Sequence, residues 1–344
     1  MNTPFSYHAI CSKCRAMAGK MLDQTDYKNL SQMSSVKEIA AYLTERTTYG
    51  NELANIDLGQ MSRSILEQLL NDNLYHNYRK LLLFAYGDMK DFMKVLIKVF
   101  EIEIVIKIVF EIYTGNATIL LSETEHEILN TSDTHLNLEG LLKAKSLEEA
   151  LILLKDTEYY PSLNAATLQN VLNLTLFEVS MYDDYYKKLY LLFQQKGAKH
   201  GNKRNVVGIL ADSKNLSRIL RFKLNFNTQP EQIYPYLLNL YGKLSKKDLI
   251  DLCQMSSSEF ILFLKNSKYG KSFAEDGIRA PSDYISDYTS RFYKRLFVSN
   301  TASFEVPFTF LLLKELEVKN LVHITEGIRY NIPSDVIMDN IIHI

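Results

Sequence analysis

Apolar residues recur every three or four positions along most of this chain, with polar residues between them. The stretch around Leu216, Ile219 and Leu220 shows this spacing, which predicts amphipathic helices with one face packed inward. Three of the predicted helices begin with a serine that is followed three residues later by a glutamate, as in a capping box. These pairs are Ser35 with Glu38, Ser146 with Glu149, and Ser256 with Glu259. The pattern predicts an all-α protein.

A four-residue motif occurs three times. Its copies are Tyr78-Arg79-Lys80-Leu81, Tyr186-Lys187-Lys188-Leu189 and Tyr293-Lys294-Arg295-Leu296, separated by 108 and 107 residues. A capped helix precedes each copy, and a tyrosine (Tyr49, Tyr160 or Tyr269) ends the segment that this helix begins. Self-similarity at a fixed interval indicates a repeated structural unit.

A second shared block follows each copy. Asp212-Ser213-Lys214-Asn215-Leu216 matches Glu317-Val318-Lys319-Asn320-Leu321, whereas the first copy reads Glu101-Ile102-Glu103-Ile104-Val105 and has no asparagine. The last two copies also share a proline turn, at Pro230 and Pro333. Since the blocks keep the same order, we predict three related helical-bundle domains at residues 1–113, 114–223 and 224–344.

The segment from Glu101 to Phe110 conflicts with this interpretation. It alternates glutamate or lysine with isoleucine, valine and phenylalanine, a pattern typical of a β-strand. Its counterparts in the other two copies, 212–222 and 317–327, have helical spacing. Because related copies share a fold and tertiary packing overrides local propensity, we predict that residues 101–113 are helical.

Composition excludes some classes of function. The 344 residues carry a net charge of −1, so no overall field draws the chain to nucleic acid. Phe92 to Tyr113 is the most apolar stretch, but six charged residues interrupt it, which excludes a membrane span. The three cysteines and the absence of a signal sequence predict reduced thiols in the cytoplasm.

The sequence offers few candidates for metal or cofactor chemistry. His8, Cys11 and Cys14 share one helix face, but zinc needs four ligands and no second pair of cysteines or histidines exists. Glu123 and His126 have the spacing of half a di-iron site, without the second half. No nucleotide-binding loop or nucleophile elbow is present. We therefore predict no catalytic, cofactor-binding or metal-binding residue, and no small-molecule substrate.

The basic residues of the repeated motif are the candidates for partner binding. They occupy equivalent places in the three copies, and together they could meet an acidic partner. The alternative is that they are solvated or pair with local acids such as Asp183 and Asp184, which adds only about 0–1 kcal/mol. The candidate partner-facing residues are Arg79, Lys80, Lys187, Lys188, Lys294 and Arg295.

Further features lie near the two ends of the chain: Arg15, Leu22 and Tyr27 near the start, and the ending from Lys314 to Leu321 with Gly327 and Pro333. Together with the Ser-x-x-Glu helices and the acid-x-x-Asn-Leu blocks, these features resemble the C-subunit family of the V-type ATPases, whose eukaryotic members are called the d subunit. The resemblance implies three domains around a pseudo-threefold axis that form a funnel.

The resemblance also implies a role. Such a protein is a non-catalytic part of the central stalk, present once per complex and held peripherally at the membrane. Its partners are the D and F subunits of the shaft and the membrane rotor ring of c/K subunits. The alternative interpretation of the repeats is a generic helical scaffold that binds other proteins.

Overall fold

The computed structural model describes residues 4–344 except 55, 116–118, 132–133, 135, 198–205, 227, 268 and 270–280. Helices dominate the described residues, which confirms the all-α prediction. None of the described helices is long and apolar enough to cross a membrane.

The first third of the chain consists of short helices followed by two long ones. The helices are α1 (Pro4–Ala18), α2 (Gln24–Ser31), α3 (Val36–Arg46), α4 (Gly50–Leu53), a 3-10 turn (Leu58–Gln60), α5 (Arg63–Leu82) and α6 (Asp88–Thr114). Helix α6 contains the alternating segment, so the prediction of a helix over 101–113 is confirmed. Both glutamate and isoleucine tolerate a helix when most of the apolar side chains are buried, as they are here.

The middle third repeats this order. It contains α7 (Glu123–Thr131), α8 (Leu138–Lys143), α9 (Leu147–Leu154), α10 (Tyr160–Ala166), the strands β1 (Thr167–Leu168) and β2 (Val171–Leu172), α11 (Leu174–Gly197) and α12 (Val206–Phe226). The two strands form a small antiparallel hairpin. Its turn residues Gln169 and Asn170 both have positive φ angles (49° and 61°), which is the backbone that a tight hairpin turn requires.

The last third again has a capped short helix before two long helices. It contains α13 (Pro230–Ile233), a 3-10 turn (Tyr234–Tyr236), α14 (Lys246–Gln254), α15 (Ser257–Asn266), α16 (Pro281–Ser299), α17 (Glu305–Arg329) and α18 (Ser334–Asp339). Thus the order of a capped helix and two long helices occurs three times: α3, α5 and α6, then α9, α11 and α12, then α15, α16 and α17.

The three predicted helix caps are present. The side-chain oxygens of Ser35, Ser146 and Ser256 each accept a hydrogen bond from the backbone N–H of the glutamate three residues on, at 3.2–3.3 Å. Each glutamate carboxylate also accepts a bond from the chain before the helix, and that of Glu259 reaches the N–H of Ser256 itself (2.8 Å). These reciprocal bonds satisfy backbone groups that a helix start leaves unpaired.

The chain packs as two compact units. Met1–Met93 and Met255–Ile344 form the first unit, and Lys94–Gln254 form the second. In the first unit α17 is the central helix, most of it buried, and it packs against α16, α5 and α1. In the second unit α11 packs against α10 and α12. The division into three domains at 113/114 and 223/224, and their pseudo-threefold funnel, stay predictions.

A close backbone approach in the second unit makes two glycines necessary. A Cβ atom on Gly242 would lie 2.5 Å from the carbonyl carbon of Gly208, and a Cβ on Gly208 would lie 2.7 Å from the Cα of Gly242. Real Cβ atoms do not approach backbone this closely, and no side-chain rotation relieves the clash. The loop at Gly242 therefore lies directly on α12.

We expect Gly242→Ala to lower the free energy of unfolding by about 1–3 kcal/mol, because the extra methyl group forces the loop off the helix. Denaturant unfolding followed by circular dichroism measures the effect. Gly19→Ala is the matched control, since a Cβ there meets backbone atoms only at ordinary distances of 3.7 Å or more. Equal stability of the two variants would contradict this account of Gly242.

Candidate functional site

The repeated Tyr-basic-basic-Leu motif has the same geometry in each copy. The tyrosines Tyr78, Tyr186 and Tyr293 and the leucines three residues later are all buried. Positions three apart lie on one face of a helix, so each motif fixes α5, α11 or α16 to its own unit. The two basic residues between them point outward, and all six predicted partner-facing side chains are at exposed positions.

Some of these basic side chains have local partners. The Lys187 Nζ lies 2.6 Å from a carboxylate oxygen of Asp183, and Lys188 forms an ion pair with Glu158. The bond to Asp183 raises the pKa of Lys187 above its usual value. In the third copy the Lys294 ammonium donates to the carbonyl oxygen of Ile344 (3.2 Å). The local pairing that the sequence leaves open as an alternative is therefore present in the second copy.

The two asparagines of the repeated blocks make equivalent contacts. The Asn215 side chain donates to the carbonyl oxygen of Leu238 (3.0 Å) and accepts from the N–H of the same residue (2.8 Å). Asn320 does the same with Ile342, at 2.8 and 2.9 Å. Both asparagines are buried. Each asparagine side chain therefore bonds both backbone groups of one residue, as a neighbouring strand would. These bonds fix the segment that follows the proline turn to the long helix that carries the asparagine.

The acid at the start of each block is buried in all three copies, but its contacts differ. The Asp212 carboxylate accepts bonds from the N–H groups of Gly242 (3.0 Å), Lys243 (2.6 Å) and Leu244 (3.2 Å). It thus holds the same loop that lies against Gly208. In the other two copies the acid lies beside a buried tyrosine, and the lysine three residues before the acid lies near the ring of that tyrosine.

Those two arrangements are here called the Lys–Glu–Tyr clusters. In the first unit, Glu317 pairs with Lys314 and accepts a bond from the Tyr49 hydroxyl (2.8 Å). It also accepts from the N–H of Leu22 (2.7 Å), and the Lys314 ammonium lies 4.2 Å from the centre of the Tyr49 ring. Lys314 and Glu317 are 3% and 0% exposed, so the pair is shielded from water.

The second unit repeats this arrangement only in part, because the Lys98 ammonium forms an ion pair with Glu158 and donates to the Thr134 hydroxyl (3.0 Å). Lys98 and Glu101 on α6 have the spacing of Lys314 and Glu317, and the Lys98 ammonium lies 5.8 Å from the centre of the Tyr159 ring. Burial and the Glu101 carboxylate both raise the pKa of the Tyr159 phenol. Burial and Glu317 act in the same direction on the pKa of Tyr49. Both phenols therefore stay protonated beside a buried carboxylate, and the Tyr49 hydroxyl donates to that carboxylate.

The structure corrects one equivalence in the repeat. The sequence pattern matches Tyr49 with Tyr160 and Tyr269, but Tyr159 is the equivalent residue. Tyr49, Tyr159 and Tyr269 are each buried, and each backbone N–H bonds to the hydroxyl of a threonine or serine two residues earlier (3.1–3.3 Å). Tyr160 is only half-buried and begins α10.

Sequence reasoning did not identify the lysines of these clusters. A signal was present, because Lys98 and Lys314 each precede the repeated acid by three residues and the second copy has Ile209 there. A further signal was the Thr-x-Tyr or Ser-x-Tyr sequence that ends each capped segment. The first cluster is closed to solvent, and Glu101 and Tyr159 of the second are buried while Lys98 is 24% exposed. Both clusters therefore suit the rigid joining of helices rather than reaction with a substrate.

The residues considered as metal ligands lie apart from these clusters. Cys11 and Cys14 are buried in α1, His8 is exposed, and burial raises the pKa of both thiols. Glu123 and His126 are both exposed on α7. Within the described part of the chain, no three histidine, cysteine, aspartate or glutamate side chains come together as ligands for a metal ion.

Comparison with known proteins covers nearly the whole chain. The model of a family described as ATP synthase (C/AC39) subunit matches residues 10–340. The C subunit of the A-type ATP synthase of Methanosarcina mazei is 26% identical over 98% of this chain and 93% of its own length. The protein of the same description from Pyrococcus abyssi is 25% identical over 93% of this chain and 85% of its own length.

Proposed function

The chain belongs to the ATP synthase (C/AC39) subunit family, and on that premise we propose that it is the non-catalytic central-stalk subunit that couples the D–F shaft to the membrane rotor ring. It is present once per complex and is held at the cytoplasmic side of the membrane through its partners. The observation that carries the proposal is the family match over 10–340, which covers the second compact unit and most of the first.

The interior of each unit supports this role. A coupling subunit transmits torque, so its helices must keep their positions under load. The Asn215 and Asn320 bonds fix two segments to long helices, and in the first unit the buried Lys314–Glu317 pair joins α17 to the tyrosine before α4. Such polar contacts in a close-packed interior permit one arrangement and disfavour sliding, because a shifted helix leaves buried groups unpaired.

The partner-facing role of Arg79, Lys80, Lys187, Lys188, Lys294 and Arg295 is part of the same proposal. Their exposure makes them available to a partner, and the local pairing of Lys187 and Lys188 means that these two exchange one carboxylate for another on binding. Exchange of exposed ion pairs contributes little free energy. These basic residues therefore orient the bound partner more than they raise the affinity for it.

We expect removal of this chain from the assembled complex to abolish ion transport while the soluble catalytic head still hydrolyses ATP. The reason is that hydrolysis needs only the head, whereas transport needs a mechanical link to the ring. ATP hydrolysis and ion uptake into vesicles are measured on complexes prepared with and without the chain. Adding the purified chain back restores transport in the control. Normal transport by a complex without the chain refutes the coupling role.

A further inference from the structure

A short non-helical segment of the first unit is bonded to two long helices at once. Residues 341–344 follow α18, and the backbone N–H and carbonyl groups of Ile342 both bond to the side chain of Asn320 on α17 (2.9 and 2.8 Å). The N–H of His343 donates to the carboxylate of Asp287 on α16 (3.3 Å). We call residues 341–344 the first strap, because they tie α16 to α17.

The second unit contains an equivalent segment at residues 238–240, which we call the second strap. Asn215 on α12 bonds both backbone groups of Leu238 (3.0 and 2.8 Å), and the N–H of Asn239 donates to the carboxylate of Asp183 on α11 (3.2 Å). The order of contacts is the same as in the first strap, because an asparagine of the later helix holds one residue and an aspartate of the earlier helix holds the next. This strap therefore ties α11 to α12.

The first copy of the repeat cannot form this contact. Ile104 stands where the other copies have the asparagine, and its buried side chain has no polar atom. The straps thus occur in the two copies that have both the asparagine and the proline turn. In each of these copies, bonds from one segment to two helices must break before the helices can separate, so the strap strengthens the joint beyond the packing of apolar side chains.

Each strap also depends on the first lysine of the repeated motif. The Lys294 ammonium on α16 donates to the carbonyl oxygen of Ile344 in the first strap (3.2 Å). On α11 the Lys187 ammonium lies 2.6 Å from one carboxylate oxygen of Asp183, and the other oxygen of that carboxylate accepts the bond from Asn239. Both lysines are exposed, whereas both asparagines are buried. A strap therefore has one anchor inside the protein and one catch at its surface.

We propose that the two straps are reversible latches, in which the buried asparagine is the fixed anchor and Lys187 or Lys294 is the catch that opens. An exposed ion pair or surface hydrogen bond holds weakly, whereas release of the asparagine leaves buried backbone groups unpaired. Each strap therefore lifts from α11 or α16 first, by local opening, while it stays bonded to α12 or α17. The two lysines are positioning residues for the joint between long helices, a role separate from the partner binding proposed above.

The test is amide hydrogen exchange of the full chain carrying Lys187→Met or Lys294→Met, since methionine keeps an aliphatic stem and removes the charge. We expect the Asn239 amide to exchange up to about fivefold faster in the first variant, and the His343 amide to do so in the second, on the scale of a surface ion pair. Each variant leaves the amide of the other strap at its original rate. Lys187→Arg and Lys294→Arg restore slow exchange, because a guanidinium donates to the same oxygens.

The matched controls are Lys188→Met and Arg295→Met, which change the second basic residue of the same motif. Lys188 pairs with Glu158, and both strap amides should keep their rates in these controls. Unchanged exchange of the matching strap amide in either methionine variant of the catch overturns the proposal. So does faster exchange of both strap amides in one variant, or failure of arginine to restore the slow rate. No shaft or ring subunit takes part in this test, so its failure leaves the coupling function standing.

Discussion

Replacing Glu317 with alanine is expected to lower the free energy of unfolding by about 3–5 kcal/mol, the range for breaking a buried ion pair. The change leaves the Lys314 ammonium, 3% exposed, without its carboxylate. It also removes the acceptor for the Tyr49 hydroxyl and for the N–H of Leu22. Because these groups come from α17, the start of α4 and the segment before α2, their loss loosens the centre of the first unit. Thermal and denaturant unfolding measure the effect.

Glu326→Ala is the matched control, since Glu326 is on the same helix and forms an ion pair with Arg63 at 2.7 Å. That pair is partly exposed, with Glu326 at 42%, so its loss lowers stability by about 0–1 kcal/mol. A second arm combines Glu317→Ala with Lys314→Met, which removes the unpaired charge and is expected to recover part of the lost stability. Equal effects of Glu317→Ala and Glu326→Ala would contradict the importance of the buried cluster.

Helix positions were predictable from the sequence because the signals are local. The serine caps, the spacing of buried residues and the repeated motif each depend on residues within one or two turns. The alternating segment in α6 was predictable only by comparison with the other copies, because its own pattern favours a strand. The exposure of Arg79 and the other basic residues followed from their place between a buried tyrosine and a buried leucine.

The contacts of the clusters were not predictable in the same way, because they join residues far apart in the chain. Tyr49 and Glu317 are 268 positions apart, and the sequence around either residue does not predict its contact with the other. The compact units were not predictable for the same reason. The first unit combines the beginning and the end of the chain, whereas a sequence repeat predicts domains that are continuous segments. Burial also decided between Tyr159 and Tyr160, which the sequence alone leaves equivalent.

The two asparagines test whether equivalent positions of the repeat contribute equally to the free energy of unfolding. Asn215→Leu and Asn320→Leu should each lower the free energy of unfolding by about 2–4 kcal/mol, because each leaves one buried backbone N–H and one C=O without a partner. The two values should be similar, since the bonds to Leu238 and Ile342 have the same geometry. Leucine preserves most of the side-chain volume, so lost hydrogen bonds rather than a cavity dominate the effect.

Hydrogen exchange locates the change. In Asn320→Leu the amide of Ile342 should exchange faster while that of Leu238 keeps its rate, and in Asn215→Leu the reverse should hold. Asn340→Ala is the control, because the Asn340 side chain donates to the Val336 carbonyl at the surface (2.9 Å) and its loss leaves no buried group unpaired. If both amides exchange faster in either variant, the asparagine stabilises the whole chain rather than its own segment. That result would contradict the view that the two asparagines act independently.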